Sequence, residues 1–243
     1  MLRKSLARRG AWFAGLVLAL LAVGFAVRQH EREPRFLHAA EAEFVALFAA
    51  PLAADSAQTR RELDLLLVLQ EHRTPAEVEA ARADRKTDVW QFARALGLKP
   101  AQMRDLGALR DLAEQVESDV RPYVRAAKYR FLRLRPYEVE TRIDPCIDDV
   151  RGDLSYPSGH ATYGYVMAYL LADIVPERRA DLMVRAEEFA RQRTVCGVHF
   201  PSDLAAGRMG AEWLVERFLQ SAEYRAAAKP AARELRAAME LAR

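Results

Sequence analysis

The chain has 243 residues, 51% of them apolar, and a formal charge of only +3. That suffices to bury one sizeable core. The 37 Lys and Arg are interspersed with 34 Asp and Glu, which leaves no electrostatic footprint for a nucleic-acid partner.

The first element differs in kind from the rest. "MLRKSLARRGAWFAGLVLALLAVGFAVRQH" has a basic head (Arg3, Lys4, Arg8, Arg9) followed by an uncharged run from Gly10 to Val27. This is the pattern of a secretory signal. Gly24 and Ala26 would permit cleavage, and the run is also just long enough to remain as a single membrane anchor. Residues 1–28 are therefore read as a signal peptide or N-terminal anchor, and 29–243 as the exported domain, periplasmic or secreted. In such a compartment the two cysteines, Cys146 and Cys196, are most simply read as one disulfide. The other reading is two separate buried thiols.

After a polar linker from Gln29 to Pro34 the chain reads as helices with short breaks, rich in Ala, Leu, Arg and Glu. "AAEAEFVALFAA" is stopped by Pro51, and "SAQTRRELDLLLVLQEH" carries leucines on one face. Thr74-Pro75 starts a helix predicted to run to Gly97. Pro100 opens a segment through Val116, and Pro122 opens another that must end near Arg135, before Pro136. Residues 136–157 form the longest irregular stretch. Helices follow over 159–174, 176–194 and 201 to about 222, with a charged tail helix beyond. No alternating strand is found, so the fold class is an all-α helical bundle. Apart from the N-terminal run, no apolar stretch is long enough to span a membrane, since Asp173 interrupts the best.

Five histidines occur. His30 lies at the export boundary, and His38 and His72 sit among charges that suggest surface. His160 and His199 have unusual neighbours. In "RQRTVCGVHFPSD", Pro201 suits a helix start, which puts His199 just before the helix and Asp203 in its first turn. One turn would bring that carboxylate to the imidazole and fix its tautomer; taken alone, Asp203 could equally be an acid favouring the helix dipole. In "SYPSGH", Ser158 can cap a helix whose first residues are Gly159 and His160. In "KYRFLRLRP", Lys128 and Arg135 are seven residues apart, two turns along one helix face. Each signal is weak alone.

Together and in order, K-x6-R-P, P-S-G-H and R-x5-H-x3-D resemble the three-part signature of the type 2 phosphatidic acid phosphatase and haloperoxidase superfamily. "SYPSGH" and "VCGVHFPSD" look most like the bacterial class A non-specific acid phosphatases. The similarity covers roughly residues 120–210, and Gln192 stands where the family usually has Ser. The resemblance implies a metal-independent acid phosphatase without cofactor, acting on small-molecule phosphate monoesters through a phosphohistidine. It assigns the nucleophile to His199, its orientation to Asp203 and the acid to His160. Lys128, Arg135, Arg193, Ser158 and Gly159 would hold the phosphate, with the amides of Ser158 and Gly159 forming an anion cradle. The acidic residues Asp144, Asp148, Asp149 and Asp153 lack a calcium-loop pattern and read as a solvated loop. Membrane contact is expected only through the N-terminal anchor, if it is kept. The family's acid phosphatases are often homo-oligomers; the sequence leaves that state open.

Other readings share these motifs. A vanadate-dependent haloperoxidase would bind vanadate in the same cradle, but the chain is short. A lipid-phosphate phosphatase usually needs several spans. A non-catalytic scaffold would not require both histidines and all three cations.

Overall fold

The computed structural model describes residues 34–147 and 153–241. The export segment, His30, most of the linker, Asp148 and Asp149 lie outside the described residues. Ten α-helices occur among the described residues, and no strand. They are α1 (Glu41–Val45), α2 (Ala57–His72), α3 (Pro75–Ala83), α4 (Pro100–Arg104) and α5 (Gly107–Phe131), then α6 (Pro136–Val139), α7 (Gly159–Ile174), α8 (Arg179–Val195), α9 (Pro201–Gln220) and α10 (Ala222–Leu241). None is long and apolar enough to cross a membrane.

Helix α7 is the central element. It is apolar nearly all round, as a helix enclosed on every side must be, and buries Ala161 through Ala168 without a break. Helices α8 and α9 pack along it, and α5 closes another side. Fully buried Phe92, Phe189 and Phe218 fill the space between elements, each contributing on the order of 2 kcal/mol through burial. Two carboxylates fix the periphery. Asp119 on α5 accepts from the amides of Arg35, Phe36 and Leu37 and from Gln115 Nε2 at 2.7 Å, tying the start of the described chain to that helix. Glu234 on α10 accepts from the amides of Ala108 and Leu109, capping α5 from far along the chain.

The boundaries depart from the sequence reading in several places. The helix begun at Thr74-Pro75 stops at Ala83, because Asp84 turns inward to Arg185 (2.5 and 3.0 Å). Two 3₁₀ turns, Val89–Phe92 and Arg94–Leu96, then carry the chain to Gly97. Pro122 does not open a helix but lies inside α5. The bond its missing amide forfeits is offset by the buried stripe of Val116, Val120, Tyr123, Val124 and Ala127. That helix also ends before Arg135, at Leu132, a non-glycine residue with φ 52°, at a cost of about 1 kcal/mol. The segment read from Pro100 to Val116 is broken after Arg104, and the stretch read as irregular opens with the short helix Pro136–Val139; the charged tail is a helix, as expected, and buries Tyr224, Ala231 and Leu235.

Cys146 and Cys196 form a disulfide, with Cα atoms 4.7 Å apart and a sequence separation of 50. A closed loop of that length contributes about 4 kcal/mol in the chain-entropy account. It also anchors the turn that leads into His199.

Candidate active site

Four chain segments converge beside the N-terminus of α7. Helix α5 brings Lys128, the stretch after Leu132 brings Arg133 and Arg135, the end of α8 brings Arg193, and the turn 196–200 with the start of α9 brings His199 and Asp203. The turn needs Gly197: its φ is +66°, and a Cβ there would lie 2.6 Å from Ile143 Cγ2. Lys128 and Arg135 do not share a helix face, as their spacing had suggested. Leu132 breaks the helix between them, and the extended residues 133–135 turn two guanidinium groups inward.

His199 is 1% exposed. Arg135 Nη1 lies 2.7 Å from its Nε2, and since a guanidinium can only donate, Nε2 accepts. Nδ1 therefore carries the proton and faces Asp203 Oδ2 at 3.2 Å. Burial pushes the His199 imidazole well below the ordinary 6.5, and the charges of Arg135, Lys128 and Arg193 push the same way. The ring is neutral, with the Nε2 lone pair turned to Arg135.

Asp203 is fully buried. Its Oδ2 also accepts from the Ser155 hydroxyl (2.5 Å) and the Phe200 amide (2.9 Å), and its Oδ1 accepts from Arg133 Nη1 at 2.6 Å. Burial raises its carboxyl above the usual value, while Arg133, Ser155 and Phe200 pull it back. Arg133 stacks on the Phe200 ring 3.9 Å away and reaches Ser202 Oγ (2.7 Å) and Glu62 Oε2 (3.2 Å).

His160, half-buried, donates from Nε2 to the Arg85 carbonyl at 2.7 Å and stacks on Phe189. Nδ1 is left as the nitrogen that gains or loses a proton. Burial, then the charges of Arg193, Arg135 and Lys128, lower its pKa well below 6.5. Arg193 is thus close enough to bear on both imidazoles. Lys128 is lowered to about 8, mainly by burial and by Arg135.

Ser158 caps α7, its hydroxyl accepting from the Ala161 amide at 3.3 Å. Its own amide is committed to the Asp203 carbonyl at 3.1 Å, so the expectation that this amide joins Gly159 in holding an anion is not met. Gly159 is not demanded by packing, since a Cβ there would only touch Val124 at 3.5 Å. It lines an open cleft of about 400 Å³ together with Lys128, Asp153 and His160, walled by Val120, Val124 and Tyr163.

Asp153 is exposed, as a loop acid would be, but it is also paired with two cations. Its Oδ2 lies 2.6 Å from both Lys128 Nζ and Arg135 Nη2. Burial raises this carboxyl, but the two cations outweigh it and hold the group below the ordinary range. Asp144 is exposed beside Arg73. Sequence reasoning thus missed the roles of Asp153, Ser155 and Arg133. For Ser155 and Arg133 the only signals were their places beside the second and first motifs; for Glu62 and the Arg85 carbonyl there was none.

The chain is similar to known phosphatases. The chain is 33% identical over 147 residues to an acid phosphatase of Zymomonas mobilis, covering 59% of this chain and 54% of that one. It is 31% identical over 137 residues to a non-specific acid phosphatase of Providencia stuartii, covering 55% of each. It thus spans about half the length of the curated relatives it matches. A transmembrane PAP2-type phosphatidylglycerolphosphate phosphatase of Bacillus subtilis aligns over 74% of this chain and 92% of its own, at 18% identity and a TM-score of 0.49. Both His160 and His199, Asp203 and the three cations fall within residues 120–223, the part of the chain that matches the PAP2 superfamily.

Proposed function

We propose that the protein is an exported acid phosphatase that hydrolyses small phosphate monoesters through a phosphohistidine on His199, with no metal required. The observation that carries this is the state of His199: a buried neutral imidazole whose Nδ1–H faces Asp203 and whose Nε2 lone pair meets Arg135. An arginine aimed at a nucleophilic nitrogen is where a phosphate oxygen would be gripped during in-line attack. Lys128, Arg135 and Arg193 supply the positive charge a metal would otherwise bring. The amide of Gly159, in the first turn of α7, adds a donor.

In this scheme Nε2 attacks phosphorus, and the ester oxygen leaves with a proton from His160 Nδ1. Water then gives a proton back to His160, attacks the phosphohistidine and releases inorganic phosphate. The leaving alcohol occupies the cleft along α5. The N-terminal basic and apolar run supports export, whether it is cleaved or kept as an anchor.

The ionisations predict an acidic optimum. His160 must be protonated to act, and its surroundings lower its pKa, so acid and the incoming phosphate charge both favour the active form. Above about pH 8 Lys128 also loses its charge. Hydrolysis of p-nitrophenyl phosphate in EDTA, followed from about pH 4 to 9, should peak in acid, be blocked by vanadate and vanish in His199→Ala. A rate still climbing beyond pH 8, or a strict metal requirement, would refute the proposal. Bromide oxidation by the vanadate-loaded protein without hydrolysis would identify a haloperoxidase instead.

A further inference from the structure

Lys128 and Gly159 line the cleft, but three other groups meant to receive phosphate do not. His199, Arg135 and Arg193 are 1%, 2% and 0% exposed. Asp153 lines the cleft and is bound to Arg135. Its Oδ2 bridges Lys128 and Arg135, its Oδ1 accepts from the Leu154 amide at 2.8 Å, and its carbonyl accepts from Arg135 Nε at 3.1 Å. The Arg135 guanidinium that touches His199 through Nη1 therefore holds this carboxylate through Nη2. An oxygen at 2.6 Å from both cations has the charge and the two donors that a non-bridging phosphate oxygen needs, on the guanidinium that also meets Nε2.

We infer that Asp153 is a resident competitor for the phosphate site: its carboxylate fills the oxyanion position between Lys128 and Arg135, and a phosphate ester binds by displacing it. The inference rests on the phosphatase reading and extends it to affinity. A dianionic monoester brings more charge and more acceptor oxygens than one carboxylate, so it wins the exchange. A monoanionic diester or a carboxylic acid competes poorly, which makes Asp153 a filter for substrate charge. No covalent step is involved. When inorganic phosphate leaves, the carboxylate returns to the two cations, so product is held weakly. Half of the Asp153 side chain is exposed, at 53%, which gives it room to swing out into the cleft.

Calorimetric titration with inorganic phosphate tests this without turnover. If the carboxylate occupies the site about nine-tenths of the time, Asp153→Asn should bind phosphate about tenfold more tightly than the parent, because the closed fraction no longer discounts affinity. The Michaelis constant for p-nitrophenyl phosphate should fall with it, and phosphate should become a stronger product inhibitor. Asp153→Ala, checked for native circular dichroism, should behave alike. Weaker or unchanged phosphate binding in both variants, with hydrolysis intact in the parent, overturns the competitor alone. So does a crystal structure with vanadate on His199 and Asp153 still between Lys128 and Arg135. Absence of both binding and hydrolysis in every form would instead bring down the phosphatase reading, and this inference with it.

Discussion

At the scale of single residues, the demanding member of the site is Asp203. It is fully buried and must stay ionised to hold the His199 Nδ1 proton. Arg133 meets that need, giving Asp203 Oδ1 a hydrogen bond at 2.6 Å while Glu62 balances its second amino group. Arg133 touches no substrate position; it acts through Asp203. Arg133→Met keeps the stack on Phe200 but removes the charge, so the Asp203 pKa should rise further and the acid lose its grip on the imidazole. We expect kcat to fall about 10- to 100-fold, as for other partners that orient a reacting ligand from behind. The Michaelis constant should change little and the pH profile shift toward alkali, where Asp203 ionises again. A loss confined to the Michaelis constant would place Arg133 at the substrate instead.

At the scale of elements, the site depends on how closely α9 approaches α7. At Gly207 an added Cβ would lie 2.8 Å from the Ser158 carbonyl oxygen and 2.9 Å from Ala161 Cβ. The contact brings the start of α9 against the cap of α7, where the Ser158 amide meets the Asp203 carbonyl. Gly207→Ala should destabilise the protein by about 1–3 kcal/mol, the usual range for overpacking, and reduce turnover more than the loss of stability explains, because Asp203 moves with the helix. Thermal unfolding alongside kcat below the melting range checks both. An alanine variant of parental stability and activity would mean the two helices can part without cost.

Elements of this kind were unevenly legible in the sequence. The starts of α7 and α9 carry local signals, the Ser158 cap and Pro201, and both fall where those signals put them. So do the bounds of α2, with Ser56 as cap. The breaks around α5 carry no such signal. Pro122 reads as a helix start locally, and only the packing of α1, α7 and α10 on that helix keeps it continuous. Leu132 is an unremarkable residue that adopts a left-handed conformation because Arg133 and Arg135 have partners inside. The His199–Asp203 pair was readable from spacing, since one helical turn sets its geometry. The Asp153 bridge was not, because it joins a loop to two cations through tertiary structure alone.

At the scale of the whole molecule, the fold keeps two imidazoles neutral inside a ring of cations, which ties stability to pH. Lys128 from α5, Arg135 from the stretch after it and Arg193 from α8 all bear on His199 and His160, and burial adds to their effect. The folded-state pKa of each histidine lies well below 6.5, so beneath that pH the unfolded chain takes up protons that the fold refuses. Stability is then fully present above about pH 6.5 and declines as the solution is acidified. For one refused proton the loss is about 1 kcal/mol between pH 6.5 and 5.5 and about 1.4 kcal/mol for each further unit. Asp203, raised by burial, works in the opposite sense. Melting temperature should therefore drop from about pH 7.5 to 5.5 in the free protein, with a shallower slope in His199→Gln. Inorganic phosphate should restore it most at the acid end, because a bound anion lets His160 accept a proton and removes its share of the penalty. A melting temperature flat across this range, or phosphate stabilisation that is greatest at pH 7.5, would mean that the imidazoles are already protonated in the free fold. The same coupling that weakens the empty protein in acid would then no longer explain an acidic optimum for catalysis.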